Sequence, residues 1–362
     1  MKQKIVMACV CISALLLMGG CNNTKQDTKT ETKSTQTEEQ TESDKKASDE
    51  EVSKDIFAMD TYMTVTAYGD QAQEAVDEAG AEIERLDNLL STGNEESEIA
   101  KLNQSGSATL SEDAGYLVER ALELNEETGG AFDIAIYPIM EAWGFPTQNY
   151  QVPTEDTLQS LLKLCDVSGI TYDKDNRNIS FNQEGMKIDL GGIAKGYTSS
   201  RIMEIYKENN ISSGLVNLGG NVQALGTKTD GSKWRVAVQS PDDSDDYLGV
   251  LSIEDKAVIT SGGYERYFEQ DGKTYHHIID PQTGYPAKNG LTSVTIVSED
   301  GTLADGLSTS LFIMGKDKAI EFWRAHSDEF DTIILTDDGK LYVTEGIQDD
   351  FSTEMDTEII KK

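Results

Sequence analysis

The sequence predicts an α+β fold, in which a single large domain spanning about residues 55–346 packs helices on mixed or antiparallel sheets. Two observations lead to this fold class. Strand-like segments occur in runs, notably at 169–181 and 215–263, and the helical segments are grouped before and after these runs. Doubly wound parallel sheets instead alternate one strand with one helix. That alternation is missing here.

The individual elements are predicted from residue periodicity and helix caps. A strand at 56–69 precedes an amphipathic helix at 70–91, in which apolar residues recur every three or four positions. Ser111 and Thr154 are suited to cap two further helices, separated by a loop at 128–145. The later elements are a hairpin at 169–181, a strand at 187–190, a helix at 194–210, strands at 215–225, 233–240, 248–254 and 257–263, a hairpin at 267–278, a strand at 291–299, helices at 302–315 and 317–326, and a hairpin at 331–345.

The N-terminus has the pattern of an export signal. Residues 1–20 combine two lysines with a short apolar run that ends in small residues, which is typical of a signal peptide and too short for a spanning helix. The run LLLMGGC resembles a bacterial lipobox, so we expect Cys21 to be lipidated and to anchor an extracytoplasmic protein to the cell membrane. An ordinary secretory signal with an incidental cysteine is the alternative.

Composition separates the ends of the chain from its body. Residues 21–54 carry almost no apolar side chains and are predicted to form a disordered tether, and residues 347–362 are predicted to be an acidic tail. The net charge of -34 argues against nucleic acid as a partner, because a phosphate backbone would be repelled. Only Cys165 lies outside the N-terminal region, so no disulfide framework is expected, and its spacing with leucines indicates a buried thiol.

Asp305 and Thr309 form one candidate for chemistry. They lie four residues apart in a predicted helix, so their side chains share one face. Carboxylate and hydroxyl oxygens are ligands of the kind that Mg²⁺ or Ca²⁺ takes, and no Cys or His cluster suggests zinc. A structural aspartate beside a surface threonine is the alternative.

The segment KIDLGGIAKG is a second candidate. Asp189 is expected at the end of a strand, Gly191 and Gly192 allow a tight turn, and Lys195 enters the next helix. Amides at a helix start beside a lysine suit a phosphate or the carbonyl edge of a heterocycle. The spacing matches neither a P-loop nor a Rossmann motif, so a plain strand-turn-helix connection stays open.

A histidine pair is the third candidate. The chain has three histidines, and two of them, His276 and His277, are adjacent in a predicted strand. Because side chains alternate along a strand, only one of the pair can face a given pocket. Histidine is the usual proton acceptor for a weak oxygen nucleophile, although a strand histidine can also be purely structural.

Aromatic residues cluster after the second predicted helix. Phe132, Tyr137, Trp143 and Phe145 lie within the 128–145 segment. Such rings either border a flat ligand or form core.

Taken together, these segments resemble the ApbE family, the FAD:protein FMN transferases. The resemblance runs from about Ile56 to about Thr344. It implies an ApbE-like domain and an enzyme that splits the diphosphate of FAD, transfers FMN to a threonine hydroxyl of an acceptor protein and releases AMP. The segments that carry it are, in order, MDTYMTV, SEIAKLN, TGGAFDIAIYPIMEAWGF, IDLGGIAKGY, LVNLGGNV, SGGYERYF, HHIIDPQTGYP and SVTIVSEDGTLADGLSTSLFIMG.

The resemblance also implies residue roles. Mg²⁺ would be held by the backbone carbonyl of Gly192 with Asp305 and Thr309, and His277 would be the base. The acceptors would be extracytoplasmic electron-transfer proteins with a threonine-containing flavinylation motif. In one departure, Gly93 stands where the family often has an aromatic residue that contacts FAD. The residues implied to contact FAD are Met59, Ala131, Phe132, Asp133, Asp189, Lys195 and Ile279.

Three other functions stay open. The same metal site could hydrolyse FAD to FMN and AMP, with water in place of the threonine. The chain could also be a flavin-binding lipoprotein that only stores or delivers the cofactor. A solute-binding lipoprotein would share the signal peptide and tether, but it would be expected to show two βαβ lobes.

Overall fold

The computed structural model describes residues 50–241 and 246–362. The predicted signal peptide, the predicted lipidation site Cys21 and nearly all of the predicted tether lie outside the described residues. Within the described ranges, no helix combines the length and the apolar character needed to cross a membrane.

The described residues form eight α-helices and seventeen β-strands. The helices are α1 (Ala72–Leu90), α2 (Glu98–Ser105), α3 (Glu112–Glu127), α4 (Tyr137–Trp143), α5 (Glu155–Leu161), α6 (Ala194–Glu208), α7 (Gly301–Met314) and α8 (Lys316–Ala325). The strands are β1 (Glu51–Ala58), β2 (Thr61–Tyr68), β3 (Ser107–Thr109), β4 (Ile170–Asp173), β5 (Asn178–Phe181), β6 (Ser213–Leu218), β7 (Asn221–Leu225), β8 (Trp234–Gln239), β9 (Tyr247–Ile253), β10 (Ala257–Gly262), β11 (Tyr267–Gln270), β12 (Lys273–His276), β13 (Leu291–Ser298), β14 (Phe330–Thr336), β15 (Leu341–Thr344), β16 (Phe351–Ser352) and β17 (Thr357–Ile360).

A nine-stranded sheet forms the centre of the fold. Its strand order is β1-β2-β6-β7-β10-β13-β14-β15-β17. Neighbouring strands are antiparallel except β15 and β17, which are parallel. Smaller sheets have the orders β16-β9-β8, β3-β5-β4 and β11-β12. The α+β fold with mixed and antiparallel sheets is thus confirmed.

The two faces of the central sheet are covered differently. Helices α1, α6 and α7 pack on one face, where Val65 and Ile83 belong to one buried cluster and Ile259 and Leu307 to another. The small β16-β9-β8 sheet covers the other face, and its Leu251 packs in a third cluster with residues of the central sheet. The helical face carries the candidate site, because α6 and α7 bear Lys195, Asp305 and Thr309.

Most predicted elements are present, and their caps explain where helices begin. The hydroxyl of Ser111 accepts a hydrogen bond from the N–H of Ala114 at the start of α3, and Thr154 accepts one from Thr157 at the start of α5. Cys165 is a buried free thiol, as expected, and burial raises its pKa to about 12.

The start of the domain differs from the prediction. Instead of a tether up to residue 54 and a single strand at 56–69, β1 begins at Glu51 and pairs with β2 along its whole length. Met59 and Asp60 form the turn between the two strands, with φ angles of 48° and 60°. Such turns usually use Asn and Gly, so a Met-Asp pair carries no turn signal.

The end of the domain also differs. The predicted acidic tail at 347–362 is part of the fold, because β16 pairs with β9 and β17 pairs with β15. Ile347 and Ile360 are buried. Acidic residues occupy the exposed position 358 of β17 and the turns beside both strands, which explains why composition alone indicated a tail.

Two local predictions are wrong. Residues 187–190 form no strand, and the N–H of Asp189 instead donates to the carbonyl of Ile134 at 2.8 Å. The segment 128–145 is not a loop throughout, since it contains a 3-10 turn at Ile134–Ile136 and helix α4. Helix α2 was not predicted.

Candidate functional site

The site is built on a close crossing of α6 and α7. A methyl group added at Gly196 would lie 2.1 Å from the carbonyl oxygen of Gly301 and 2.5 Å from Cβ of Asp305. One added at Gly301 would lie 2.8 Å from the carbonyl oxygen of Gly196. Only glycine permits such close approach of two backbones. As a result, the side chain of Asp305 lies directly against the start of α6.

Both carboxylate oxygens of Asp305 accept hydrogen bonds. Oδ2 accepts from the N–H of Gly196 at 2.8 Å, and Oδ1 accepts from Nδ2 of Asn221 at 2.9 Å. The residue is only 6% exposed. Burial raises the pKa of its carboxyl group, while the positive charge of Lys195 and these hydrogen bonds oppose the rise. Lys195 and these donors therefore favour the charged carboxylate, whereas its removal from water favours the protonated form.

Thr309 and Gly192 are linked to the surroundings of Asp305 by different neighbours. Thr309 is one helical turn beyond Asp305, and its Oγ1 is 3.3 Å from Oγ of Ser261 on β10. Gly192 precedes α6, and the ring of Phe132 lies between Gly192 and α7. A methyl group at Gly192 would lie 3.1 Å from Cε2 of that ring, and one at Gly306 would lie 3.8 Å from the same atom. The ring of Phe132 thus lies between the turn at Gly192 and Gly306, which follows Asp305 in the sequence.

The backbone fixes the ring of His277. Nδ1 lies 3.1 Å from the carbonyl oxygen of Arg266, and the main-chain N–H of His277 donates to the same oxygen at 3.0 Å. Because a carbonyl only accepts, Nδ1 carries the proton and Nε2 keeps a lone pair. Burial lowers the pKa of His277 to about 3, and the charges of Arg266 and Lys195 contribute. The ring is therefore neutral near pH 7, with Nε2 able to accept a proton.

His276 has a different environment. Its Nε2 lies 3.0 Å from the carbonyl oxygen of Ala287, and its Nδ1 accepts from the N–H of Ile278 at 3.3 Å. The ring also packs edge-on against Phe312. Both ring nitrogens are engaged, so His276 holds the backbone in place and has no lone pair left for a substrate.

Charged side chains from three segments surround the site. Glu265 is an exposed residue, but the protein atoms packed around its carboxyl group raise its pKa to about 7, and the charge of Lys195 opposes this rise. Burial raises the pKa of Asp189, against a hydrogen bond from the N–H of Gly191 and the charge of Arg266. The cations Lys195 and Arg266 therefore act on groups from the 189–192 turn, the 265–266 loop and α7.

Met59 lies at the tip of the β1–β2 hairpin and contacts α6. Oγ1 of Thr198, which donates to the carbonyl of Ala194 at 2.7 Å, lies 4.0 Å from the sulfur of Met59. Met59 also packs against two of the core clusters. Its positive φ is unfavourable for a residue other than glycine, and residues with such strain are concentrated at functional sites. The hairpin tip is thus held next to the helix that carries Lys195.

The other expected FAD contacts are buried or turned inward. Ala131 and Phe132 are buried, as is Ile279, two residues after His277. The carboxylate of Asp133 accepts from the N–H of Ala135 at 2.7 Å, and burial raises its pKa to about 6. Backbone N–H groups of Ala135 and Val167 thus hold the Asp133 carboxylate, whereas the charge of Lys195 acts on both Asp305 and His277.

The aromatic cluster is core. Tyr137, Trp143 and Phe145 are buried, and Nε1 of Trp143 donates to the carbonyl of Gly284 at 2.8 Å. Their burial indicates that these three residues are core, one of the two alternatives that the sequence left open. Phe145 still supports the site, because its ring centroid lies 6.4 Å from that of His277.

Three residues of the site were not singled out from the sequence. Asn221 donates a hydrogen bond to Asp305 although 84 positions separate them, and Ser261 contacts Thr309. The pKa of Glu265 is influenced by the charge of Lys195. Asn221 and Ser261 are adjacent to glycines in the segments LVNLGGNV and SGGYERYF, and Glu265 lies two residues after Gly263 in the second segment. Polar residues beside those glycines were the available signal, but their partners could be known only from the fold.

A buried carboxylate, a hydroxyl one turn away, a lysine and a neutral imidazole converge on this α+β scaffold. Such a set is typical of an enzyme that transfers a group between an anionic donor and a hydroxyl. The chain belongs to the ApbE family, whose model matches residues 59–334.

Curated relatives and solved structures agree with this family. The chain is 34% identical over 258 residues to a FAD:protein FMN transferase of Klebsiella pneumoniae (strain 342), covering 70% of this chain and 79% of the relative. It is 34% identical over 297 residues to the enzyme of that name from Treponema pallidum (strain Nichols), covering 77% and 82%. The crystal structure of the ApbE protein from Thermotoga maritima has a TM-score of 0.78 at 32% identity, covering 83% of this chain and 99% of that one. The flavin transferase ApbE from Vibrio cholerae has a TM-score of 0.75 at 28% identity, with the same coverage of 83% and 99%.

Proposed function

We propose that this protein transfers FMN from FAD to a threonine hydroxyl of an acceptor protein, with Mg²⁺ as cofactor and AMP as the leaving product. The shared name of the relatives supports flavin transfer. The proposal of Mg²⁺, a threonine acceptor and AMP release is supported chiefly by Lys195, because its charge affects the pKa values of both Asp305 and His277. A cation, a carboxylate and a proton acceptor thus meet where a diphosphate would bind.

In the proposed reaction, the threonine oxygen attacks the phosphorus of the FMN half. The bond between Oγ and phosphorus forms, and the bond from that phosphorus to the bridging oxygen breaks, so the bridging oxygen leaves with AMP. The threonine proton passes to Nε2 of His277, which the Arg266 carbonyl keeps unprotonated. This acceptor is needed because a hydroxyl is a poor nucleophile at its own pKa.

Substrate binding would make His277 a better base. A pKa of about 3 makes the ring a weak proton acceptor in the ligand-free protein. A bound diphosphate brings negative charge, which favours the protonated ring and raises its pKa towards neutrality. The imidazole would thus gain basicity when FAD is in place.

The donor set fits Mg²⁺. A carboxylate from Asp305, a hydroxyl from Thr309 and the carbonyl of Gly192 are all oxygen donors, and Mg²⁺ usually completes its shell with substrate phosphates and water. The two Asp305 oxygens accept from the backbone of Gly196 and Lys195 and from the side chain of Asn221, and a carboxylate with about four lone-pair sites still keeps capacity for a cation. In residues 50–241 and 246–362, no three His, Cys, Asp or Glu side chains gather as a metal-binding group, and this set draws only one residue from those types. When bound, the cation neutralises charge on the diphosphate.

The remaining FAD contacts are proposed from the surroundings of this centre. Lys195 would bind the diphosphate as a point charge. Met59, at the strained hairpin tip, would contact the cofactor from the side of α6. The other proposed contacts are Ala131, Phe132, Asp133, Asp189 and Ile279.

We also propose an extracytoplasmic location. The LLLMGGC run supports lipidation at Cys21, and the apolar-poor stretch that follows supports a tether of nearly thirty residues before β1. The proposed acceptors are extracytoplasmic electron-transfer proteins with a threonine flavinylation motif. Such acceptors would meet the enzyme at the outer side of the membrane.

Product analysis tests the proposal. The folded region is incubated with FAD and Mg²⁺, with and without an acceptor protein, and free FMN, AMP and acceptor-bound flavin are quantified by chromatography. Transfer predicts AMP together with protein-bound FMN, in equal amounts, only when the acceptor is present. Equal free FMN in both tubes would indicate hydrolysis instead, and bound but intact FAD would indicate a storage protein.

A further inference from the structure

A chain of hydroxyl groups lies behind the Asp305–Thr309 pair. Oγ of Ser308 is 2.8 Å from the carbonyl oxygen of Asp305 and 2.8 Å from Oγ of Ser261. Oγ of Ser261 is in turn 3.3 Å from Oγ1 of Thr309. Ser261 lies on β10 and the other three residues lie on α7, so the chain links the helix to the central sheet.

The protons in this chain can point in only one direction. A carbonyl oxygen only accepts, so the single proton of Ser308 goes to Asp305. Oγ of Ser308 must then accept from Ser261, which uses the single proton of Ser261. Oγ of Ser261 is left as an acceptor, and the proton between it and Thr309 must come from Thr309. The order of donors is therefore Thr309, Ser261, Ser308 and the Asp305 carbonyl.

This order decides what the Thr309 hydroxyl offers to a ligand. With its proton directed at Ser261, Oγ1 presents lone pairs on its other sides. A neutral hydroxyl binds a cation through a lone pair, whereas a hydroxyl that turns its proton to the same place repels the cation. We infer that Ser261 is a positioning residue that keeps the Thr309 hydroxyl oriented for cation binding. This inference rests on the proposed function, which places a divalent cation at Asp305 and Thr309.

Ser308 sets the direction in which the hydroxyl protons of this hydrogen-bond chain point. Without the Ser308 hydroxyl, the proton of Ser261 has no acceptor there and can turn to Thr309, where it would occupy a lone pair that the cation needs. Ser308→Ala should therefore weaken cation binding although Ser308 itself is not a ligand. Groups that orient metal ligands typically change metal affinity by about 10- to 100-fold when they are removed.

The test measures metal affinity directly, independently of turnover. Mn²⁺ is the probe, because it takes the same oxygen ligands and its free form is quantified by electron paramagnetic resonance. Ser261→Ala and Ser308→Ala are compared with Ser261→Thr, which keeps the hydroxyl. Thr260→Val is the matched control, since Thr260 is on the same strand and its hydroxyl contacts Thr295 at 2.8 Å. Thermal unfolding of each variant identifies any that fail to fold.

We expect Mn²⁺ to bind roughly 10- to 100-fold more weakly to Ser261→Ala and to Ser308→Ala. Ser261→Thr should restore binding, and Thr260→Val should match the wild type. Thr309→Val should lose affinity too, and adding Ser261→Ala to it should cause no further loss, because Ser261 acts only through Thr309.

Three results would overturn the inference. If folded Ser261→Ala binds Mn²⁺ like the wild type while FMN transfer remains metal-dependent, the role of Ser261 is refuted and the proposed function stands. If the losses from Ser261→Ala and Thr309→Val add, Ser261 does not act through Thr309. A wild-type protein that transfers FMN without binding any divalent cation would refute both the metal assignment and this inference.

Discussion

The main-chain N–H of Gly196 donates to Oδ2 of Asp305 at 2.8 Å, across a helix crossing that leaves no space for a side chain. One hydrogen bond thereby couples the packing of α6 on α7 to the position of the carboxylate proposed to bind the cation. Changes at the crossing should affect stability and activity together, whereas changes to the reacting groups should separate the two.

Gly196→Ala tests the crossing. The new methyl group would meet the carbonyl oxygen of Gly301 at 2.1 Å, and backbone atoms cannot rotate away as a flexible side chain can. We expect the free energy of unfolding in urea to fall by about 1–3 kcal/mol. Gly93→Ala is the control, because its methyl group would meet only Oγ of Ser91, at 3.8 Å, and should change stability by less than about 0.5 kcal/mol. Equal stability of the two variants would contradict the tight crossing.

His277 and His276 should differ in what they contribute. His277→Ala removes the proposed proton acceptor, so FMN transfer should fall roughly 100- to 10,000-fold with little change in stability. His276→Ala leaves the Ala287 carbonyl and the Ile278 N–H without partners, so it should lower the free energy of unfolding by about 1–3 kcal/mol. Steady-state transfer rates and urea unfolding of both variants check this. Full activity of folded His277→Ala would refute its role.

Acid should weaken the fold through His277. Burial holds the folded-state pKa of this ring at about 3, against an ordinary value of 6.5. Between these values the unfolded chain binds a proton that the folded protein does not, so this contribution to stability is complete above pH 6.5 and is lost as the pH falls towards 3. We expect the unfolding free energy of His277→Gln to fall less steeply than that of the wild type between pH 7 and pH 4. Parallel curves would contradict a ring that the folded protein keeps neutral.

Glu265 should make the folding stability depend on pH in the opposite direction. Its pKa is raised to about 7, so below that pH the folded protein holds a proton that the unfolded chain has released, and stability falls as the pH rises from about 4.5 to 7. Glu265→Gln cannot ionise and should gain stability relative to the wild type between pH 5 and pH 8. Glu269→Gln, on β11 of the same hairpin, is the matched control. Thermal unfolding at both pH values measures the difference, and a Glu265→Gln gain no larger than that of the control would contradict the crowded carboxylate.

Local periodicity and capping were enough to predict the fold class and most elements. Helix α1 carries three-to-four spacing, and Ser111 and Thr154 mark helix starts by side-chain chemistry that acts within a few residues. The hairpin turn at Met59 was missed because tertiary packing, rather than a turn-forming residue, holds its positive φ angles. The strand at Thr357–Ile360 was missed because its pairing with Leu341–Thr344 is parallel and leaves half of it exposed.

The site was predictable only where one segment carries both partners. Asp305 and Thr309 share a helical turn, so their spacing alone suggested a joint role. Asn221 and Ser261 reach them from strands of the central sheet, and no pattern within either segment indicates that contact. The tautomer of His277 likewise depends on the Arg266 carbonyl, which the β11–β12 hairpin brings alongside.

Intact mass spectrometry of an acceptor protein, incubated with enzyme, FAD and Mg²⁺, tests most directly whether Asp305, Lys195 and His277 form one FMN-transfer site. The wild-type enzyme should add one FMN to a threonine of the acceptor. Asp305→Ala should stay folded yet lower the rate about a thousandfold or more, because several kcal/mol of charge stabilisation are lost. An acceptor modified at the wild-type rate by Asp305→Ala, or left unmodified by the wild type while FAD is consumed, would contradict this assignment.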